Sequence, residues 1–272
     1  MLWCQTKVWT PFSFPVLYRR FGRTPLKLTY LGHATILIEM DGVRIVTDPI
    51  FRQRVAHLNH RHTPLVPKID AVVISHLHFD HMDLPSLRML PPATRLIVPR
   101  GAARLLRRFH AVEELGVGET TTVGAVTIKA TFALHARERY RFGPVADCLS
   151  FVISGSRSLY FAGDTALFAD MAELAAHLDV ALLPVWGWGP TLGHGHMNPR
   201  EAAEALTLLQ PRLAIPIHWG SLHPIGLGWF KPKFLFDPPH DFVRHAAQVA
   251  PTVKTHIIDP GHTISLADLL SS

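Results

Sequence analysis

The feature that most constrains this chain is the segment AVVISHLHFDHMD at residues 71–83, where three histidines and two aspartates follow an apolar run. The first four residues have the short, continuous apolar composition of a strand that is buried on both faces. Residues i and i+2 of an extended chain project from one face, so His76 and His78 can bind the same ion. A turn directly after them would bring Asp80 and His81 to a second ion. The segment therefore predicts a buried strand whose end carries half of a two-metal site.

Three further candidate ligands follow other apolar segments that are predicted to be strands. His135 follows TFAL, Asp164 follows LYFAG and His218 follows LAIPI. Each of them stands directly after a strand, as His76 does, so together they can complete two neighbouring sites. Imidazole nitrogens and carboxylate oxygens bind zinc at about 2.0–2.2 Å, which requires closely spaced side chains. Two divalent ions are expected; Zn²⁺ fits this ligand set best, and Mn²⁺ and Fe²⁺ remain open.

The rest of the sequence predicts one α/β domain over residues 26–272, preceded by an arm of aromatic and basic residues over 1–25. Asp41-Gly42 is a typical hairpin turn, and the NPRE segment that begins at Asn198 is typical of a capped helix start. Helices are predicted over residues 101–109, 166–177, 198–209 and 240–249. Strands are predicted over residues 43–46, 71–74, 95–98, 125–131, 149–153, 158–162, 180–183, 213–217 and 255–258. Strands outnumber helices, which favours sheets covered by helices.

Composition indicates a reducing compartment and favours anionic partners. The 272 residues carry a formal net charge of +6 with the histidines neutral, and the two cysteines provide no disulfide framework. We expect a cytoplasmic protein with a small-molecule or lipid-like anionic substrate. Residues 1–25 either pack on the domain or make peripheral contact with a membrane. Binding of nucleic acid is suggested only by the charge and is not favoured, and the sequence does not indicate an oligomeric state.

The metal-binding segments resemble those of the metallo-β-lactamase superfamily. SHLHFDH, FALH, YFAGDT and IPIHWG are similar to its successive metal motifs, with Ser75 in place of the usual threonine. GHATILIEMDGVRIVTDP, HMNPREAAEAL and PIHWGSL resemble the branch that contains ascorbate-phosphate lactonase and N-acylphosphatidylethanolamine-hydrolysing phospholipase D. The resemblance covers about residues 26–266. It implies an α/β fold, a four-layer αβ/βα sandwich of two mixed sheets, with the metals in a cleft at one sheet edge.

The resemblance also implies how the ligands divide between two ions. His76, His78 and His135 would hold the first ion, Asp80, His81 and His218 the second, and Asp164 would bridge them. The expected activity is that of a dinuclear metal-dependent hydrolase, in which a hydroxide between the metals attacks a phosphodiester or a lactone-type ester. We expect Asp80 also to accept and relay a proton.

Other side chains near these motifs are candidates for supporting roles. Asp48 is the first candidate to orient a metal-bound histidine, and the alternative is a turn aspartate. His33 either lines the cleft or is a structural histidine. The glycine-rich segment 187–199 is of the type that approaches a ligand closely. Within it, His196 is a candidate to contact the substrate or to protonate a leaving group.

Arginines and aromatic residues suggest where a substrate could bind. Arg137 lies close in sequence to His135 and could attract a phosphate, as could Arg139 and Arg141 at alternate positions. A second basic group is formed by Arg100, Arg104, Arg107 and Arg108, which would share one face of the helix predicted over 101–109. Trp229, in the aromatic and proline-rich segment 221–239, could form an apolar wall. The sequence assigns no role to His194, His223 or His262.

Two alternative functions remain open from the sequence. One is a carboxylic ester or thioester hydrolase whose substrate contains no phosphate. The other is a non-hydrolytic metal-binding or redox protein on the same scaffold. Redox iron sites in the resembled superfamily tend to exchange a histidine for a carboxylate, and all five ligand histidines are present here. The ligand set therefore favours hydrolysis.

Overall fold

The computed structural model describes residues 26–60, 68–174, 177–227 and 232–270. The predicted arm over 1–25 and the predicted substrate residue Trp229 lie outside these residues. The strands are β1 (Lys27–Gly32), β2 (Thr35–Met40), β3 (Val43–Thr47), β4 (Arg54–Val55), β5 (Leu58–His60), β6 (Ala71–Val73), β7 (Arg95–Pro99), β8 (Val112–Leu115), β9 (Thr120–Val123), β10 (Val126–Phe132), β11 (Leu149–Ser154), β12 (Ser158–Phe161), β13 (Val180–Pro184), β14 (Leu213–Ile217), β15 (Leu222–Pro224), β16 (Lys254–Thr255) and β17 (Thr263–Ser265). The helices are α1 (Leu84–Leu87), α2 (Pro199–Leu209), α3 (Lys233–Phe236), α4 (Pro238–Val249) and α5 (Leu266–Leu270).

Two seven-stranded sheets form the centre of the fold, and each has an antiparallel half and a parallel half. The order of the first sheet is β17-β1-β2-β3-β6-β7-β8, and it becomes parallel from β3 to β8. The order of the second sheet is β16-β14-β13-β12-β11-β10-β9, and it is parallel from β12 to β16. A small third sheet, β15-β5-β4, lies beside them. The prediction of two mixed sheets is confirmed.

The main core contains apolar side chains of both large sheets. Ile36 and Ile38 of β2 belong to one buried cluster with Phe151 of β11 and Phe161 of β12. Complete burial of such side chains contributes about 1.5–3 kcal/mol each. Strand β6 is apolar throughout because both of its faces are buried. Val73 packs in the main core, and the preceding Val72 packs in a second buried cluster. The continuous apolar run before His76 therefore forms a strand buried on both faces, as predicted.

Helices α2 and α4 pack against each other and contact strands β13 and β14 of the second sheet. The Asn198 side chain accepts hydrogen bonds from the backbone N–H groups of Arg200 and Glu201, and the Glu201 side chain accepts one from the Asn198 backbone. This is the predicted capping box. Helix α4 begins slightly earlier than predicted, at Pro238.

The helices predicted over 101–109 and 166–177 are wrong. The first is a single 3₁₀ turn, Ala103–Leu105, because Gly101 bends the chain with a φ of +100°. The second is a 3₁₀ segment, Ala169–Glu173, which begins after an extended Phe168 without a side-chain cap. The arginines around the first turn therefore do not share a helical face. Arg100 pairs with Glu119 instead.

Within the described ranges, none of the helices has both the length and the apolar content needed to cross a bilayer.

We expect Asn198→Ala to lower the free energy of unfolding by about 1 kcal/mol, because two backbone N–H groups lose their acceptor. Urea denaturation at a fixed metal concentration measures the change. Asn198→Asp is the matched control, since a carboxylate can accept the same hydrogen bonds and should remain within about 0.5 kcal/mol of the wild type. Equal losses in both variants would contradict the capping role.

Candidate metal centre

The seven predicted metal ligands converge at one edge of the two large sheets. His76 to His81 follow β6 of the first sheet and lead into α1. His135, Asp164 and His218 follow β10, β12 and β14 of the second sheet. The carboxyl ends of neighbouring parallel strands open at the same edge, which is where open α/β sheets bind ligands. Each ligand therefore stands close in sequence to the end of a strand, and the strand limits how far its side chain can move.

The side-chain nitrogens and oxygens form two groups. In the first group, His78 Nδ1 lies 2.9 Å from His76 Nε2 and 3.0 Å from His135 Nε2. In the second group, His81 Nε2 lies 3.1 Å from His218 Nε2. The Asp80 carboxylate belongs to this second group. Its Oδ2 atom lies 3.6 Å from His81 Nε2 and 3.7 Å from His218 Nε2.

Asp164 lies between the two groups. Its Oδ2 atom is 3.0 Å from His81 Nε2 and 4.0 Å from both His76 Nε2 and His135 Nε2. Its Oδ1 atom is 3.1 Å from His218 Nε2. Gly163 before it adopts a φ of +59°, and a Cβ there would lie only 2.6 Å from Ser75 Cβ. Asp164 thus lies within 4.0 Å of histidine nitrogens from both groups, and the division of the ligands between two ions stays a prediction.

Backbone carbonyls fix the outer nitrogens of two histidines. His135 Nδ1 donates to the carbonyl of Gly195 over 2.7 Å, and His218 Nδ1 donates to the carbonyl of Trp186 over 2.7 Å. Gly195 has a φ of +78°, and a Cβ at this position would lie 2.7 Å from His135 Nδ1. Because a carbonyl can only accept, both rings carry a proton on Nδ1 and turn Nε2 toward the centre.

Asp48 has the same effect on two further histidines, His76 and His81. Its Oδ2 atom accepts a hydrogen bond from His81 Nδ1 at 2.7 Å and one from Ser75 Oγ at 2.5 Å, and its Oδ1 atom accepts one from the Ser75 backbone at 2.7 Å. Because the Ser75 hydroxyl donates its hydrogen bond to Asp48, its oxygen accepts a hydrogen bond from His76 Nδ1 at 3.0 Å. Asp48 thus holds both rings with their Nε2 atoms inward, and its role in orienting metal ligands stays a prediction.

The donor set fits divalent metal ions. Lone pairs of histidine nitrogens face one another at about 3 Å, closer than uncharged acceptors approach without a proton or a cation between them. Asp164 Oδ1 is buried and has no hydrogen-bond partner. Buried polar atoms are normally satisfied, so this oxygen is available to bind a cation. Nitrogen and oxygen donors in these numbers suit zinc, manganese or iron.

The pKa values in the centre have clear physical causes. Burial lowers the pKa of His135 to about 4 and that of His76 well below the ordinary value, so both rings are neutral, as metal ligands must be. Burial alone would raise the pKa of Asp164, but the surrounding imidazoles outweigh it and hold the pKa well below the usual range. Burial would likewise lower the pKa of His81, but the neighbouring carboxylates outweigh it and raise the pKa well above the usual value. The same negative field attracts a cation.

His33 has a more specific role than the sequence indicated. It is buried, and its Nε2 atom lies 2.9 Å from Asp80 Oδ2. Its ring also lies 3.8 Å from the ring of His218, centroid to centroid. Burial lowers the pKa of His33 to about 3, so the ring is neutral. Its Nε2–H donates a hydrogen bond to Asp80 and holds that carboxylate in place. No spacing rule links residues so far apart in the chain, and the sequence therefore left this contact unassigned.

Three residues of the centre have left-handed backbone conformations. The φ angles are 56° for His33, 34° for Asp48 and 65° for His218. Such conformations cost on the order of 1–3 kcal/mol in residues other than glycine, and they occur most often at functional sites. The fold keeps these angles because they turn the side chains at the ends of β1, β3 and β14 toward the centre.

A cavity of about 380 Å³ opens above the ligands. His78, Asp80 and Asp164 line its floor together with His196, whose Nε2 atom lies 3.2 Å from Asp164 Oδ2. Burial would lower the pKa of His196, but the Asp164 carboxylate outweighs it and raises the pKa to about 9. The other lining residues are Val55, Ala56, His57, Leu58, Phe79, Arg139 and Trp188. The cavity is therefore polar at the floor and largely apolar at the walls.

Arg137 does not line this cavity, contrary to the prediction. Its side chain is 60% exposed and forms an ion pair with Asp147 over 2.6 Å. Arg139 lines the cavity in its place, because the chain reverses over residues 138–145 and alternate side chains point in opposite directions. The sequence shows arginines at the alternate positions 137, 139 and 141, but this spacing does not tell which of them point into the cavity. Trp188 is the tryptophan that lines the cavity among the described residues, which do not include Trp229.

Comparisons with known proteins agree with this geometry. Residues 43–219 match the family described as Beta-lactamase superfamily domain. A metal-dependent hydrolase of Opitutus terrae is 34% identical over 255 residues, which cover 89% of this chain and 100% of that protein. The N-acyl-phosphatidylethanolamine-hydrolyzing phospholipase D 1 of Caenorhabditis elegans is 30% identical over 230 residues, which cover 73% of this chain and 64% of that protein.

A solved structure has the same fold. Igni18, described as a metallo hydrolase from Ignicoccus hospitalis, superposes with a TM-score of 0.68 at 26% identity and covers 89% of this chain and 98% of its own. The lengths of the relatives differ. The chain spans only 66% of the length of matching mycobacterial proteins.

We expect Asp48→Asn to weaken zinc binding by about 10–100-fold, because an amide has one acceptor oxygen for the hydrogen bonds that Ser75 and His81 now donate. Competition with a chromophoric chelator measures the affinity. Asp147→Asn, which removes a carboxylate that pairs with Arg137, is the matched control. Wild-type affinity in Asp48→Asn would show that Asp48 does not orient the ligands.

Proposed function

The chain belongs to the β-lactamase superfamily, and on this premise we propose that it is a metal-dependent hydrolase with two divalent ions, zinc first among them, acting on a phosphodiester or a lactone-type ester. The observation that carries the proposal is the pair of donor groups that share Asp164. His76, His78 and His135 would hold one ion, and Asp80, His81 and His218 the other. When bound, two such ions supply Lewis acidity and lower the pKa of water.

The residues of the chain account for the remaining requirements of a hydrolase. His33 donates a hydrogen bond to Asp80 Oδ2 and keeps this carboxylate at the cavity floor, where it can accept a proton during the reaction. His196 Nε2 lies at the same floor and holds a proton that it can give to a leaving group. The largely apolar walls can contact an acyl or other apolar part of a lipid-like substrate.

The relatives support this proposal. The Opitutus protein is named a metal-dependent hydrolase and the nematode protein is named a phospholipase D, an enzyme of phosphodiester cleavage. A phosphodiester is therefore the first substrate class to test. Lactone-type esters are the second, and the carbonyl group that reacts in them carries no negative charge.

The decisive experiment combines metal analysis with a substrate screen. We expect the purified chain to bind two zinc ions and to cleave bis-p-nitrophenyl phosphate or a member of a lactone panel. A chelator should abolish the activity, and added zinc should restore it. Bound iron with oxygen consumption, or metal-loaded protein that cleaves neither substrate class, would contradict the proposal.

Single ligand variants test the two-ion arrangement. We expect His135→Ala and His218→Ala each to reduce the bound zinc from two ions toward one, and Asp164→Ala to reduce binding at both positions because this carboxylate contacts both groups. Elemental analysis after dialysis measures the stoichiometry. His110→Ala removes an exposed histidine away from the metal centre and serves as the control. Equal stoichiometry in all four variants would contradict the assignment.

A further inference from the structure

The guanidinium of Arg139 is held inside the cavity by a tight reversal of the chain. Glu138 and Val145 form an antiparallel bridge, and the Arg139 backbone N–H donates to the carbonyl of Pro144 over 2.9 Å. This register turns Arg139 inward and leaves Arg137 on the surface. The backbone therefore sets the inward direction of the Arg139 side chain.

Arg139 is nearly completely buried, with 7% of its surface exposed. Its Nη1 atom donates to the carbonyl of Leu77, and its Nη2 atom donates to the carbonyl of Met82 over 3.1 Å. The Phe79 ring lies 4.2 Å from the guanidinium carbon. These contacts orient the group, but all of them involve neutral partners.

No carboxylate of the described residues forms an ion pair with Arg139. Asp83, the carboxylate whose charge acts on it most strongly, already forms a two-pronged ion pair with Arg52, at 2.6 and 2.8 Å. Burial lowers the pKa of Arg139, and the nearby acidic groups offset only part of this effect. A buried charge without a counter-ion is costly, so its persistence beside a cavity indicates a ligand that supplies the opposite charge.

Arg139 also retains hydrogen-bonding capacity. A guanidinium has five N–H donors, and the two carbonyls use two of them. The side chain lines the cavity together with His78, Asp80 and Asp164, so a group bound above the ligands lies within its reach. Guanidinium groups recognise phosphate oxygens strongly because the planar fork matches their geometry.

We propose that Arg139 binds a negatively charged phosphoryl oxygen of the substrate and makes the site selective for a phosphodiester monoanion over a neutral ester or lactone. This inference rests on the proposed hydrolase function and narrows its substrate class. A neutral ester leaves the buried charge without a counter-ion, whereas a diester monoanion supplies one.

A purely structural role is the competing explanation, because Leu77 and Met82 flank the ligands of the metal centre. Loss of Arg139 could loosen that segment and reduce metal binding. The experiment must therefore separate recognition of an anion from support of the ligands, and it must compare variants at equal metal occupancy.

The test compares Arg139→Gln, Arg139→Lys and the surface control Arg137→Gln, each loaded with zinc to the same occupancy. Calorimetry measures the affinity for diethyl phosphate, a diester monoanion with poor leaving groups. We expect Arg139→Gln to weaken binding by about tenfold or more, which corresponds to about 1.4 kcal/mol. Arg139→Lys should recover part of the affinity through its charge, and Arg137→Gln should bind as the wild type does.

Kinetics provide the second measurement. The ratio of kcat/KM for bis-p-nitrophenyl phosphate to kcat/KM for neutral p-nitrophenyl acetate should fall about tenfold in Arg139→Gln, mainly through KM for the diester. An equal loss on both substrates with unchanged diethyl phosphate affinity would overturn the inference and leave a structural role. If the wild type cleaves neither of these substrates nor a member of the lactone panel but binds diethyl phosphate through Arg139, the anion site stands and the hydrolase proposal fails.

Discussion

The buried carboxylate of Asp48 determines how the metal centre is arranged. It stands after β3 and accepts hydrogen bonds from the backbone and hydroxyl of Ser75 and from His81. Because β3 and β6 are parallel neighbours, this one group connects two adjacent strand ends and fixes the turn that follows β6. Through the Ser75 hydroxyl it also orients His76. The Asp48 carboxylate thus turns Nε2 inward in His76 of the first donor group and in His81 of the second.

The two sheets bring the remaining ligands to the same place by the same means. Each sheet has a parallel half, and the ligands follow strands directly or after a short loop, so little flexible chain separates a side chain from the core. The cost is local strain, since His33, Asp48 and His218 have positive φ angles. The packed sheets on either side keep that strain from relaxing. A rigid scaffold with strained ends is suited to holding donors closer together than they would settle without cations.

Some features could be predicted from the sequence because they depend on local chemistry. The histidine motif, the buried strand before it and the capping box at Asn198 are of this kind, and the fold class is confirmed. The helix over 101–109 was wrong because composition does not reveal the bend at Gly101. The contact between His33 and Asp80, and the exchange of Arg137 for Arg139, depend on pairing between distant segments. No local pattern encodes that pairing.

If two divalent ions bind as proposed, the charges around the cavity would favour an anion at its floor. Two divalent ions would bring four positive charges, against which Asp80 and Asp164 supply two negative ones at the floor. Arg139 adds to the excess from the wall. Two unit charges about 4 Å apart interact by about 4 kcal/mol at the effective dielectric of a protein surface. That exceeds what burial of one further apolar side chain contributes. In the proposed site, charge would therefore select the reacting group, and the apolar walls around Trp188 and Phe79 would select what is attached to it.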